Sequence, residues 1–259
     1  MVRIAHEVLP QERQQKILER LQRDGRVVAN ELAAAFGVSE DSVRRDLRDM
    51  AAAGLCRRVY GGALLPTPDF PPLAERAARP DAQRTALARH AAGLVRNGQS
   101  VLLDAGSTNI EIARALAGRQ VRVITNAPAV AAVLAGDASI ELVVIGGRIA
   151  PGGGAIGAVA IGQLGAWQAD VCMPGTCAVE PDTGAWGLDA EEVAFKQAMV
   201  AASDMTIVVA TDAKVGARGH CHLLAMDAID HLVLGDRLDA DLVARFDTGA
   251  TRVHRVASA

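Results

Sequence analysis

Residues 100–126 read SVLLDAGSTNIEIARALAGRQVRVITN, and this stretch decides the architecture. Ser100–Asp104 is a short, nearly continuous apolar run of strand type. Asn109–Ala117 carries apolar residues at helical spacing, and Val121–Asn126 is apolar and β-branched again. Strand, helix, strand within so few residues predicts a parallel pair joined by a crossover helix. The same alternation continues toward the C-terminus. Further strands are expected at Glu141–Gly146, Asp170–Pro174, Thr206–Thr211 and His231–Leu234. Helices are expected at Glu75–Arg96, Ala127–Ala135, Ala158–Trp167, Ala190–Ala202 and Ala240–Arg245. Strands this uniformly Val/Ile/Leu-rich predict a mostly parallel sheet covered on both faces. No internal repeat at a fixed period is visible.

Toward the N-terminus the pattern changes. Leu64–Leu73, LLPTPDFPPL, holds four of the ten prolines, which remove backbone donors and oppose helix. The charge balance changes sign there: residues 1–65 sum to +2 and residues 66–259 to −5, although the whole chain is only −3. These shifts predict an N-terminal domain over 1–65, a Pro-rich linker over 66–74 and a larger domain over 75–259. The chain has 259 residues, half of them hydrophobic but only 3% aromatic, so the expected cores are built of Ala, Val, Leu and Ile. No apolar run is long enough for a transmembrane helix. The polar Met1–Gln15 segment does not read as a signal peptide. The cysteines Cys56, Cys172, Cys177 and Cys221 lack zinc-ligand spacing, and Cys172 and Cys177 are expected as reduced, buried thiols. The reading is of a cytoplasmic chain with no membrane partner, no metal and no cofactor.

The N-terminal pattern is helical. Gln11–Asp24 ends at Gly25, and Asn30–Phe36 ends at Gly37. Ser39 is placed to cap a third helix running to about Ala53, with Gly54 as its stop. Leu55–Tyr60 and Ala63–Leu65 flank Gly61-Gly62 as a hairpin. Two short helices joined by a glycine turn form a helix-turn-helix: Ala33 permits close approach, Val43 locks the second helix on the first, and Leu32, Phe36, Val38 and Leu47 fill the shared core. The polar face of the third helix offers Ser39, Ser42, Arg44, Arg45 and Arg48 to base edges and phosphates. The hairpin adds Arg57, Arg58 and Tyr60 as a wing. The competing reading is a solvated helix face laced by ion pairs, since Asp41, Asp46 and Asp49 are interspersed. A balance of only +2 implies weak binding by one copy, so a self-paired dimer or tetramer is expected on operator DNA.

A second constellation follows the quoted strand. Asp104-Ala105-Gly106-Ser107-Thr108 leads into a helix, a geometry that offers backbone N–H groups and hydroxyls to an anion. An ordinary capped turn would look the same. In a parallel sheet, ligands gather outside the strands' C-terminal ends. Asn126, Gly146-Gly147-Arg148, Gly175-Thr176-Cys177 and Thr211–Lys214 lie at such ends, and Glu191, Glu192 and Lys196 begin a helix after a turn at Gly184–Gly187. Of 27 basic residues only Lys16, Lys196 and Lys214 are lysine, and two of them fall in this set.

The segment Val38–Ala63, VSEDSVRRDLRDMAAAGLCRRVYGGA, resembles the winged helix-turn-helix of the DeoR family of bacterial sugar-catabolism repressors. Arg44-Arg45-Asp46-Leu47, Gly54-Leu55 and Arg58-Val59-Tyr60-Gly61-Gly62-Ala63 match the family's pattern, with Tyr60 where histidine is usual. The resemblance implies that Arg44, Arg45 and Arg58 contact DNA. It extends to Asp104–Thr108, Gly146-Gly147, Glu191–Lys196 and Thr211–Gly216, with Thr211 in place of the usual Asp. It implies a sensor domain similar in fold to ribose-5-phosphate isomerase and sugar-phosphate deaminases, with a phosphorylated sugar or polyol as effector. The rival reading is an isomerase or deaminase with an attached DNA reader. Such chemistry wants a carboxylate base just after the middle strand, and that stretch has no acid before Glu180. Glu191 or Glu192 remain as candidates. Acyl-CoA transfer by a nucleophilic Glu is a further, weaker rival. Catalytic residues are therefore expected to be absent.

Overall fold

In a computed structural model the described residues are 9–64, 66 and 71–257. They form two compact units that divide near residue 67. Leu65 and residues 67–70 lie outside the described set, so the stretch read as a linker is seen only at Pro66 and from Pro71 onward.

The first unit contains α1 (Pro10–Asp24), β1 (Arg26–Val28), α2 (Ala29–Phe36), α3 (Glu40–Ala52), β2 (Arg57–Val59) and β3 (Gly62–Leu64). Gly25 and Gly37 take left-handed φ of 71° and 65°, which stop α1 and α2 where a side chain would be strained. Ser39 caps α3, its hydroxyl accepting the Ser42 N–H at 3.2 Å. Val43, Leu47 and Met50 recur on one face of α3 and are buried with Ile17, Leu21, Leu32 and Ala33. β3 lies between β1 and β2, antiparallel to both. The wing is therefore a three-stranded sheet, not the isolated hairpin expected. Arg26–Val28 gives no signal of its own in the sequence, because three residues carry no periodicity.

The second unit runs α4 (Leu73–Ala78), α5 (Ala82–Gly93), β4 (Ser100–Leu103), α6 (Ser107–Leu116), β5 (Val121–Thr125), α7 (Pro128–Leu134), β6 (Ile140–Val144), β7 (Arg148–Ile149), β8 (Ala155–Ile156), α8 (Ala158–Leu164), β9 (Ala169–Met173), β10 (Ala178–Glu180), β11 (Gly184–Gly187), α9 (Ala190–Ala201), β12 (Ser203–Ala210), β13 (Cys221–Leu224), β14 (His231–Gly235), α10 (Ala240–Ala244) and β15 (Arg252–Val256). Seven strands form a wholly parallel sheet in the order β15-β14-β12-β9-β4-β5-β6. Alternate residues of β4 serve opposite cores. Val101 and Leu103 join α5, α6 and α7, whereas Leu102 joins α8 and α9 around Phe195 and Met199.

Three expectations need correction. The single helix Glu75–Arg96 is two, broken at Arg79-Pro80, where proline lacks the N–H that a continuing helix needs. Gly184–Gly187 is not a turn but strand β11, paired with β10 and β13 in a small antiparallel insertion. The parallel sheet also has an edge strand, β15, in a polar segment that strand-type apolar runs do not reveal.

Candidate functional site

The chain order along the sheet sets the place of a binding site. From β4 the chain moves outward through β5 and β6. It then returns to β9 beside β4 and builds β12, β14 and β15 the other way. The loops leaving β4 and β9 therefore diverge and leave a crevice between them, the switch point where ligands sit in such sheets. A cavity of about 460 Å³ opens there. Its floor is Gly106–Asn109 from the β4 loop and Pro174–Cys177 from the β9 loop, and its walls come from α9, from Lys214 after β12 and from Pro71–Arg76.

Buried polar contacts hold this floor. The Asp104 carboxylate accepts the Gly175 N–H at 3.0 Å and faces Lys196 Nζ at 3.5 Å. Asn109 Nδ2 donates to the carbonyls of Asp104 and Met173, both at 2.9 Å, and so ties the β4 loop to the β9 loop. The backbone N–H groups of Ser107, Thr108 and Asn109 belong to the first turn of α6. They have no intrahelical acceptor and carry the positive end of the helix dipole.

Three cations converge on the cavity. Arg76 Nη1 donates to Ser107 Oγ at 3.4 Å, which places the guanidinium beside the start of α6. Burial and the neighbouring Arg84 lower the Arg76 pKa, partly offset by Glu192. Lys196 is buried. Burial opposes its charge, but Asp104 and Glu192 outweigh it and hold the pKa above the usual lysine value. Lys214 is pushed down to about 8 by burial and by Arg76. Lys196 is thus matched by two carboxylates, while Arg76 and Lys214 repel each other across the cavity, a field suited to an anion.

The acids are committed. Asp189 caps α9, accepting the N–H groups of Glu191 and Glu192 at 3.0 Å each. Glu192 lies 3.6 Å from Lys196 and accepts the Gly152 N–H at 3.2 Å. Glu180 is buried in β10 with Thr183 as donor, away from the cavity lining. Cys177 lines the cavity, its thiol pushed up to about 11 by burial despite Lys196 and Lys214. Cys172 is buried in strand β9 on the face that packs against α8 and α9, and burial raises its pKa further. All four cysteines are free.

Of the residues singled out in the sequence, Gly106, Ser107, Thr108, Glu192, Lys196 and Lys214 line the cavity. Asp104 and Asn126 stand behind it in a small annex with Gly152, Glu192 and Lys196. There Asn126 Nδ2 donates to the Ala155 carbonyl at 2.9 Å, while its buried Oδ1 has no hydrogen-bond partner among the described residues. Gly146, Gly147, Arg148 and Glu191 do not line the cavity. Arg148 and Glu191 pair with each other on the surface, and Gly146 donates its N–H to Gln163. Arg76, Asn109, Gly175 and Thr176 line the cavity without having been marked as ligands. Arg76 lies on α4, before the first strand of the parallel sheet, so position at a strand end does not mark it.

In the first unit, Ser39, Arg44, Arg45 and Arg48 are exposed on one side of α3, with Ser42 half-buried, and Arg57, Arg58 and Tyr60 are exposed on the wing. Arg44 pairs with Glu40 at 2.7 Å and Asp41 at 3.5 Å. Arg45 and Arg48 make no ion pair among the described residues. Asp46, in contrast, is buried against α1, where Arg13 grips it with bonds of 2.5 and 3.2 Å. Among the described residues, no group of three His, Cys, Asp or Glu side chains could hold a metal ion, and no helix is long and apolar enough to cross a membrane.

Comparison with known proteins follows the same division. The profile of the DeoR-like helix-turn-helix domain matches residues 13–69, and that of the DeoR C terminal sensor domain matches residues 80–236. The glycerol-3-phosphate regulon repressor of Haemophilus influenzae is 30% identical over 226 residues, 86% of this chain and 89% of that protein. A putative aga operon transcriptional repressor of Escherichia coli O157:H7 is 29% identical, covering 89% of this chain and 88% of its own. Among solved structures, ribose 5-phosphate isomerase A from Methanocaldococcus jannaschii aligns with a TM-score of 0.39 at 18% identity, covering 51% of this chain and 53% of that one.

Proposed function

The chain belongs to the DeoR family of transcriptional regulators, and on that premise we propose that it represses a sugar or polyol catabolism operon under the control of a phosphorylated sugar or polyol bound at the β4–β9 crevice. The observation that carries this reading is the convergence of Arg76, Lys214 and the first-turn amides of α6 on one cavity, in a chain whose other unit is a winged helix-turn-helix. The phosphate sits against Ser107 and Thr108, with Arg76 and Lys214 neutralising its charge. The acids Asp104 and Glu192 orient Lys196, and Glu192 faces the polyol part. With every cavity carboxylate already accepting a hydrogen bond or facing Lys196, the site is built to hold a ligand rather than to abstract a proton from it.

The reader is assigned to residues 1–65, the linker to 66–74 and the sensor and self-association domain to 75–259. α3 enters the major groove with Ser39, Ser42, Arg44, Arg45 and Arg48, and the wing places Arg57, Arg58 and Tyr60 on the backbone or minor groove. Two copies bind half-sites about one helical turn, ~34 Å, apart. Calorimetric titration with phosphorylated sugars and polyols, beside inorganic phosphate, tests the sensor. At least one phosphorylated member is expected to bind tighter than phosphate, and binding by none of them would refute the reading. Sedimentation of the protein with and without an operator duplex tests the pairing. A single copy bound at saturation would refute it.

A further inference from the structure

One wall of the cavity comes from an unexpected part of the chain. Pro71, Pro72, Leu73 and Arg76 line it; the first three end the Pro-rich stretch and open the described part of the second unit. Leu73 and Arg76 belong to α4, a helix of six residues none of which is fully buried. Its apolar anchor is small: Leu73 and Ala77 are half-buried against the core of the sheet domain, with Leu73 also against Gly153, where a Cβ would overlap the leucine side chain. Arg76 adds polar links. Its Nε donates to the Pro71 carbonyl at 2.9 Å, and its Nη1 reaches Ser107 Oγ at the long distance of 3.4 Å. A helix this short is stable only through such tertiary contacts. A doubly charged anion at the start of α6 would offer the guanidinium a bidentate partner while already bonded to the Ser107 N–H.

We propose that Arg76 is the residue through which the bound phosphate controls the rest of the chain: the anion bridges the α6 N-terminus to Arg76 and fixes Pro71–Ala78, the segment that leads directly from the DNA-reading unit. The inference rests on the anion reading above and adds the element that reports occupancy. A ligand shifts an equilibrium only by binding its states differently. Here the difference is assigned to one salt link, made when α4 is docked and lost when it is not. Lys214 binds the same anion from the turn at Asp212–Lys214, which follows β12 and lies far in the chain from α4, and so contributes affinity without contributing this signal.

Hydrogen exchange on the full chain separates the two roles, with inorganic phosphate and glycerol 3-phosphate as probes. In the wild type, saturating probe is expected to slow exchange in both 107–111 and 73–79. Arg76→Gln is expected to bind about tenfold more weakly. At saturation it should still protect 107–111 but leave 73–79 exchanging as in the unliganded protein. Lys214→Gln should also bind more weakly, yet protect both segments once saturated. Unchanged exchange in β4 and β9 verifies that each variant is folded, and Arg76→Lys provides a milder version should Arg76→Gln fail that check. Full protection of 73–79 in the Arg76 variant, or protection of 107–111 without 73–79 in the wild type, overturns the proposal while leaving the anion site standing. Protection of neither segment in the wild type overturns both.

Discussion

At the scale of single residues, the same type of side chain has opposite jobs a few positions apart. Asp41, Asp46 and Asp49 read alike in the sequence, as acids scattered over a basic helix. Asp46 is instead buried and held by Arg13, thirty-three residues earlier. Nothing local to α3 marks it, because the partner sits on another helix. Removing one member of a buried pair leaves the other charge uncompensated, at a cost of about 3–5 kcal/mol. Asp46→Ala should lower the reader's unfolding free energy by that amount and so shift its urea midpoint down, and an unchanged midpoint would show that the pair contributes nothing. Lys214 is the converse, a residue whose rarity made it legible but whose chemistry needed the structure. Its pKa of about 8 reflects burial and repulsion by Arg76, and the negative charge of a bound anion offsets both. The sign follows from linkage. Binding favours the charged lysine, so above about pH 8 each ligand must bring a proton with it and affinity falls as pH rises. Below about pH 6 the phosphate monoester loses its second charge and affinity falls again. Calorimetry should therefore find tightest binding between these limits and net proton uptake at pH 8.5, whereas a flat profile from pH 7 to 9.5 would remove Lys214 from the site.

At the scale of elements, the sequence is most readable where period and capping agree. The helix-turn-helix is legible from Gly25, Gly37, Ser39 and the buried spacing of Val43, Leu47 and Met50, all of which act within a few residues of themselves. Short strands are not, since β1 and β15 exist only because a neighbour pairs with them. Gly62 shows the consequence. A Cβ there would overlap the Val27 carbonyl, so the glycine is the condition for β3 to lie against β1. Gly62→Val should dislodge the wing and weaken operator binding in gel-shift titrations while leaving phosphate affinity intact. A variant that keeps full operator affinity would show that the wing does not contact DNA in this register. On α3 the two arginines without ion pairs carry the sharper expectation. Arg45→Ala should weaken operator binding by roughly 5- to 150-fold and relax preference at one base position, with no change in the unfolding midpoint. A uniform loss on all sequences would instead assign Arg45 to a phosphate.

At the scale of the whole molecule, the near-neutral total of −3 conceals a reader of +2 and a sensor of −5. The crevice was legible in outline because a parallel sheet places ligands at its strand ends, and Gly106–Thr108, Lys196 and Lys214 satisfy that rule. Gly146–Arg148 satisfy it too, yet they lie outside the cavity, because β6 is the far edge of the sheet and the switch point lies between β4 and β9. Strand order is a property of the assembled fold and is written in no local pattern. The same holds for Arg76, which reaches the site from the N-terminal side of the sheet domain. If occupancy of that cavity governs the reader, thermodynamics imposes a strict symmetry. An effector that weakens operator binding by some factor must itself bind the operator-loaded protein more weakly by the same factor, typically 5- to 150-fold. Titrating the effector into protein alone and into protein saturated with an operator duplex measures one side of this cycle, and gel shifts with and without saturating effector measure the other. Equal factors are expected in the wild type, and both should fall toward one in Arg76→Gln, whose sensor binds but no longer reports. Unequal factors would mean that the two titrations do not follow the same two-ligand equilibrium, and equal but undiminished factors in the variant would move the signal away from α4.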